Sequence, residues 1–189
     1  NETYAFVKQL DPAWTIPLHQ ANVNVNSTCN ANWTTWTMNF FREGGGCANT
    51  GVIGDVMAHE FGHGIQHSLL GSQGGEGLGE GNGDITGTLM TLDSVIGRGF
   101  YLNQCASGIR DCENALRYPG DVVGQEIHNA GRVICGFNWD TWQALQLTMG
   151  PAAARTYVAQ LWHYSRKIIR PTNQPAQVLA YFVTDDDDG

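Results

Sequence analysis

His59-Glu60-Phe61-Gly62-His63 places two imidazoles and a carboxylate inside five residues. The chain from about Val52 to Leu70 reads as one helix, with Val52, Val56, His59 and His63 on a single stripe. At about 100° per residue, His63 lies about 40° from His59, and Glu60 about 100° from it. Both imidazoles therefore reach one point in space, and Glu60 leans over that point without having to bind there. This is what a zinc hydrolase requires: two nitrogen ligands, and a carboxylate able to take a proton from the water the metal acidifies. A short string of this kind also fits an exposed helical turn with two solvated histidines, so a third ligand has to decide between the readings.

His67 extends the row but lies about 12 Å along the axis from His59, too far to share an ion. A glycine at Gln66 and a histidine at Leu69, the metzincin continuation, are both missing. Glu80 is the better candidate, with Asp84 one turn later positioned to hold a ligating imidazole by its free N–H. A solvated carboxylate pair at a helix start is the competing reading. Gly83 and Gly87 weigh against it. Each costs about 1 kcal/mol relative to alanine inside a helix, and their spacing makes a smooth stripe that lets a second backbone come close.

The elements that must carry these groups follow from pattern and punctuation. Thr3–Leu10 reads as a helix ended near Pro12, Asn22–Asn26 as a strand, and Trp33–Phe41 as a second strand region. Glycine is dense from Gly71 to Gly83. A helix is expected over about Leu78–Val95, a long connection over Gly97–Gln125, and helices over Ile127–Thr148, from Pro151 onward, and over Ala176–Val183.

Taken together these strings resemble the gluzincin metallopeptidases, in particular the thermolysin-like and fungalysin-like enzymes. The resemblance rests on Asp55-Val-Met-Ala-His59-Glu60-Phe-Gly-His63, on Gly79-Glu80-Gly-Asn-Gly-Asp84-Ile-Thr-Gly-Thr-Leu, on Asn30-Ala31-Asn32-Trp33 and on Glu126-Ile-His128-Asn-Ala-Gly131, in the family's order. It implies an α+β, thermolysin-like fold with a strand-containing N-terminal lobe (residues 1–70), a mainly helical C-terminal lobe (71–189), and zinc in the cleft between them. Residues 1–189 would form a single catalytic domain. It implies His59, His63 and Glu80 as zinc ligands, Glu60 as general base, Asp84 as the partner of His59, and His128 as the oxyanion-stabilising group. Asn30 and Ala31 would lie on an edge strand that pairs with substrate, and Arg117, in Leu-Arg-Tyr-Pro, would contact substrate backbone.

The chain also departs from the family. Sixteen residues separate His63 from Glu80, fewer than in thermolysin. Residue 123, where an aspartate should orient His128, is Val123, which leaves Glu126 or Asp121 for that task. No tyrosine in the 71–79 stretch matches the one that assists the oxyanion. Asp55 matches a calcium-ligand position but the partner glutamate falls on Thr91, which weakens any Ca2+ reading there; Asp185–Gly189 is acidic enough for calcium but reads more simply as a solvated tail.

The whole-chain properties agree with such an enzyme. A formal charge of −8 over 189 residues disfavours nucleic acid, and no apolar run is long enough for a bilayer. The expected partner is a protein or peptide substrate, met by a monomer. Cys29–Cys47, across a hairpin, and Cys105–Cys112, across a short loop, are the expected disulfides, with Cys135 a buried apolar side chain. They point to an oxidising, extracellular location. An aminopeptidase of the same clan, with Glu76 as an extra carboxylate, and a non-catalytic metal-containing binding module are the alternatives to an endopeptidase.

Overall fold

The computed structural model describes residues 2–186. The chain is a mixture of helix and strand: α1 (Glu2–Leu10), β1 (Gln20–Val25), β2 (Ala31–Thr34), β3 (Thr37–Phe41), α2 (Gly54–Leu70), α3 (Leu78–Thr91), β4 (Val95–Ile96), β5 (Arg110–Asp111), α4 (Ile127–Met149), α5 (Pro151–Ile169) and α6 (Gln174–Asp185). The expected α+β character is therefore present. Among the described residues no helix is long and apolar enough to cross a membrane.

The sheet order is β1-β3-β2, with β1 parallel and β2 antiparallel to β3, so among the described residues β2 keeps one edge unpaired. The single strand region expected over Trp33–Phe41 is in fact a hairpin. Thr35 and Trp36 take φ of 35° and 71°, the pair of positive values a two-residue turn needs to match strand twist. Neither residue favours that conformation, but the Trp36 ring packs on His19 and His67, 5.3 and 5.2 Å away between centroids. Val52 stands in a short 3-10 turn before α2 and is 75% exposed, so the buried stripe begins at Val56.

α2 and α3 meet almost backbone to backbone. A Cβ on Gly62 would lie 2.9 Å from the Gly83 Cα, and one on Gly83 would lie 2.7 Å from the His59 ring. The glycine dosage that weakens α3 as an isolated helix is what lets it approach α2. α4 closes on the other side of α3 by the same device: a Cβ on Gly81 would meet the Gly131 carbonyl at 2.6 Å. Ile65, Ile85, Leu89 and Trp162 fill the space behind this contact. So does a satisfied polar pair: Asn82 and Gln177 exchange two amide hydrogen bonds of 2.9 Å, and the Trp162 indole donates to Asn82.

One disulfide expectation is corrected. Cys29–Cys47 forms behind the hairpin, but Cys112 pairs with Cys135, and Cys105 is a free, exposed thiol. The reason lies in β5. Its pairing with β4 turns the chain inward, the Cys112 amide bonds the Ser94 carbonyl, and the side chain is buried against α4 at Cys135, whereas Cys105 stays on an outer turn. Non-reducing peptide mapping should return these two pairs, with Cys105 alone taking a thiol label.

α1 is anchored by ionic contacts. Asp11, just past its end, accepts from Lys167 and from His163 Nε2 (3.0 Å), and the Tyr164 hydroxyl bonds Leu10 O. A carboxylate only accepts, so His163 keeps its proton on Nε2, and its Nδ1 is buried without a partner. Burial, then the charge of Arg166, pushes the His163 pKa down to about 4 from 6.5, against the pull of Asp11. Because the folded pKa is depressed, the unfolded chain binds the proton first. The associated stability is complete above about pH 6.5 and is lost as pH falls toward 4. Thermal melts between pH 7 and pH 4.5 should show a smaller loss of Tm for His163→Gln, which keeps a donor for Asp11 but does not titrate, than for the parent.

Candidate metal centre

The α2–α3 contact brings His59, His63 and Glu80 together, with one ligand atom from each lying within 4.8 Å of the others. His59 Nε2 is 3.1 Å from His63 Nε2 and 3.4 Å from Glu80 Oε2, and His63 Nε2 is 3.7 Å from Glu80 Oε1. The tautomers follow from the partners. His59 Nδ1 is 2.8 Å from Asp84 Oδ1, an atom that can only accept, so the proton sits on Nδ1. His63 Nδ1 is 3.1 Å from Gln73 Oε1. Both Nε2 atoms are thereby turned toward each other and toward a carboxylate.

The electrostatics ask for a positive charge at this point. Burial opposes ionisation of Asp84, but Arg110 outweighs it and holds the carboxyl well below the usual range. Burial likewise opposes ionisation of Glu80, while His59 and His63 hold its pKa at about 2. Burial disfavours a charged His59, yet Asp84 and then Glu80 lift its pKa to about 10; burial and His59 push His63 down to about 4. Two fixed anions thus keep a proton where a divalent cation would fit better. Glu80 Oε2 is buried and unsatisfied, with only the His128 and His59 ring nitrogens beside it at 3.2 and 3.4 Å, so this two-imidazole, one-carboxylate set could hold a metal ion.

Glu60 faces the same cleft, with Oε2 buried and unbonded; burial lifts its pKa to about 7, only partly offset by the charge of His59. The cleft, about 330 Å³, is also lined by Asn30, Ala31 and Trp33 from the β2 side, by Val56, Ile96, Phe100 and Ile109, and by Arg110 and His128. His128 stands in the first turn of α4, its Nε2 3.2 Å from Glu80 Oε2 and its Nδ1 2.5 Å from Glu126 Oε1. Glu126 therefore orients this imidazole and also caps the helix; Asp121 instead accepts from the Arg117 amide.

Arg117 is not in the cleft. It is exposed, among the turns before α4. The arginine that lines the cleft is Arg110, which β5 aims at Asp84 with bonds of 2.7 and 2.6 Å. No motif marks Arg110, because its placement depends on a two-residue ladder. Gln73 was equally hidden, in a glycine-rich loop. Glu76 is exposed and outside the cleft. His67, also outside the metal group, is half-buried and packs its ring on Trp33 and Trp36.

Asp55 accepts from the Val56 and Gly97 amides, and the Thr91 hydroxyl donates to the Gly87 carbonyl. Of the acidic tail, residues 187–189 lie outside the described residues.

No protein-family model and no curated protein matches the chain. A solved structure does: the precursor of protealysin, a metalloproteinase from Serratia proteamaculans, at a TM-score of 0.69 and 16% identity, covering 96% of this chain and 74% of that one. The two share a fold, and that fold is one a metalloproteinase precursor uses. In a competitive chelator titration, Glu80→Ala should weaken zinc binding sharply, whereas Glu76→Ala should stay within a few-fold of the parent.

Proposed function

We propose that the chain is a zinc-dependent endopeptidase of the gluzincin type. The observation that carries this reading is the convergence of His59 Nε2, His63 Nε2 and Glu80 beside an unbonded Glu60 carboxylate, in a cleft flanked by a free strand edge. Held by those three groups, a zinc ion would supply Lewis acidity to a substrate carbonyl and to a water.

The chain's own residues account for the rest. Glu60, with a pKa of about 7, is poised to take a proton from the attacking water and to hand it to the departing amide nitrogen. Asp84 and Gln73 keep the ligand imidazoles in the required tautomers. His128, turned by Glu126 through Nδ1, directs Nε2 into the cleft; with a proton on both ring nitrogens it would donate from Nε2 to negative charge developing on the carbonyl oxygen. β2 offers unpaired backbone groups to an extended peptide. Arg110 spends two of its five N–H groups on Asp84, and the remainder can meet a substrate carbonyl. Val56, Ile96, Phe100 and Ile109 form an apolar wall suited to an apolar side chain.

The aminopeptidase alternative loses its extra carboxylate, because Glu76 lies outside the cleft. A non-catalytic module has no need of a buried, unbonded Glu60. The decisive assay digests an unstructured protein with and without a chelator. Internal cuts that the chelator abolishes are expected. Glu60→Gln should retain zinc by metal analysis while losing activity by roughly 10²-fold or more; activity close to that of the parent would remove Glu60 from the role of base, and stepwise loss from the amino terminus would replace the endopeptidase.

A further inference from the structure

The metal-centre reading leaves open why His63 presents Nε2 to the site. Where His59 Nδ1 meets a carboxylate, His63 Nδ1 meets a neutral amide from the loop between α2 and α3. That amide has only one consistent orientation. Gln73 Nε2 donates to the His63 backbone carbonyl at 3.0 Å, and a carbonyl can only accept. The other end of the amide is then Oε1, which can only accept in its turn, so His63 must carry its proton on Nδ1. Two bonds between Gln73 and His63 thus keep the proton off Nε2, whose lone pair faces His59 Nε2 and the site.

Two further features hold Gln73 in place. Gly79, immediately before Glu80, leaves room for it: a Cβ there would lie 2.7 Å from Gln73 Oε1 and 2.8 Å from its Cβ. From below, Gln66 reaches the Gln73 backbone carbonyl through Nε2, at 3.4 Å. The Gln66 amide is itself oriented by Arg166, whose Nη1 donates to Gln66 Oε1 at 2.9 Å. Both Gln66 and Arg166 are fully buried. Arg166 also donates to the Trp162 carbonyl and lies 3.7 Å over the Trp162 ring. A guanidinium has no acceptor, so every amide in this row can face only one way.

We propose that Gln73 is a positioning residue that fixes the tautomer of His63 for metal binding, and that the buried Arg166–Gln66 pair keeps the Gln73 loop in register. The proposal rests on the reading of His59, His63 and Glu80 as a metal site, and the test separates the two. Zinc affinity is measured by competition with a chromophoric chelator for the parent, Gln73→Met and Gln73→Glu. The imidazole tautomers of the metal-free proteins are read by nitrogen-15 NMR at pH 8.

The parent should bind zinc and show His63 protonated on Nδ1 before metal is added. Gln73→Met should bind zinc roughly 10–100-fold more weakly and show the proton shared with or moved to Nε2. Gln73→Glu keeps an acceptor for Nδ1 and should restore both the tautomer and an affinity within a few-fold of the parent. Zinc binding by the parent together with unchanged affinity in Gln73→Met would overturn the role of Gln73 and leave the metal site standing. Failure of the parent to bind zinc would overturn both. Should Gln73→Met not fold, a metal-free parent with His63 protonated on Nε2 would overturn the proposal, and one protonated on Nδ1, with Gln73→Glu retaining that tautomer, would uphold it.

Discussion

The closeness of α2 and α3 is the constraint on which the candidate site depends. Three ligand atoms from two helices can converge within 4.8 Å only if the helices approach nearer than ordinary side chains permit. Gly62 and Gly83 provide that approach. The consequence extends outward: a glycine-rich α3 is a poor helix alone, so it has to be stabilised by what surrounds it. Gly131 of α4 fits against Gly81, and the Asn82–Gln177–Trp162 bonds tie α3 to α5 and α6. The helical part of the molecule is, in effect, the support for one close contact.

Charge follows the same logic. Arg110 neutralises Asp84 at the back of His59, so that side of the site is an ion pair whose carboxylate is fully buried. The back of His63 is built from neutral amides that end on Arg166. The two imidazoles therefore differ in basicity although they sit one turn apart on one helix, with His59 favouring a proton and His63 resisting it. A shared geometry does not imply a shared environment.

What could be read in the sequence was whatever is fixed by spacing along one element. His59, Glu60 and His63 share a helical face, and Glu80 and Asp84 share the next one, so their meeting followed from helix geometry and two glycines. The edge strand at Ala31 followed from the family resemblance, and the bridge behind its hairpin from cysteine spacing. Arg110, Gln73 and the Cys112–Cys135 bridge did not follow. Each depends on a path through irregular chain: a two-residue ladder in the first and third cases, a glycine-rich loop in the second. The turn at Thr35–Trp36 was missed for a related reason, since its backbone is held by ring packing and not by turn-forming residues.

The unpaired edge of β2 has a consequence for what the cleft can receive. Four residues of strand offer about 13 Å of ladder, enough for a short stretch of backbone and only if that stretch is already extended and unpaired. A folded guest must first release such a segment, so its local unfolding free energy, more than its side chains, ranks its segments as partners. Termini and detachable loops come first, and strands held in sheets come last.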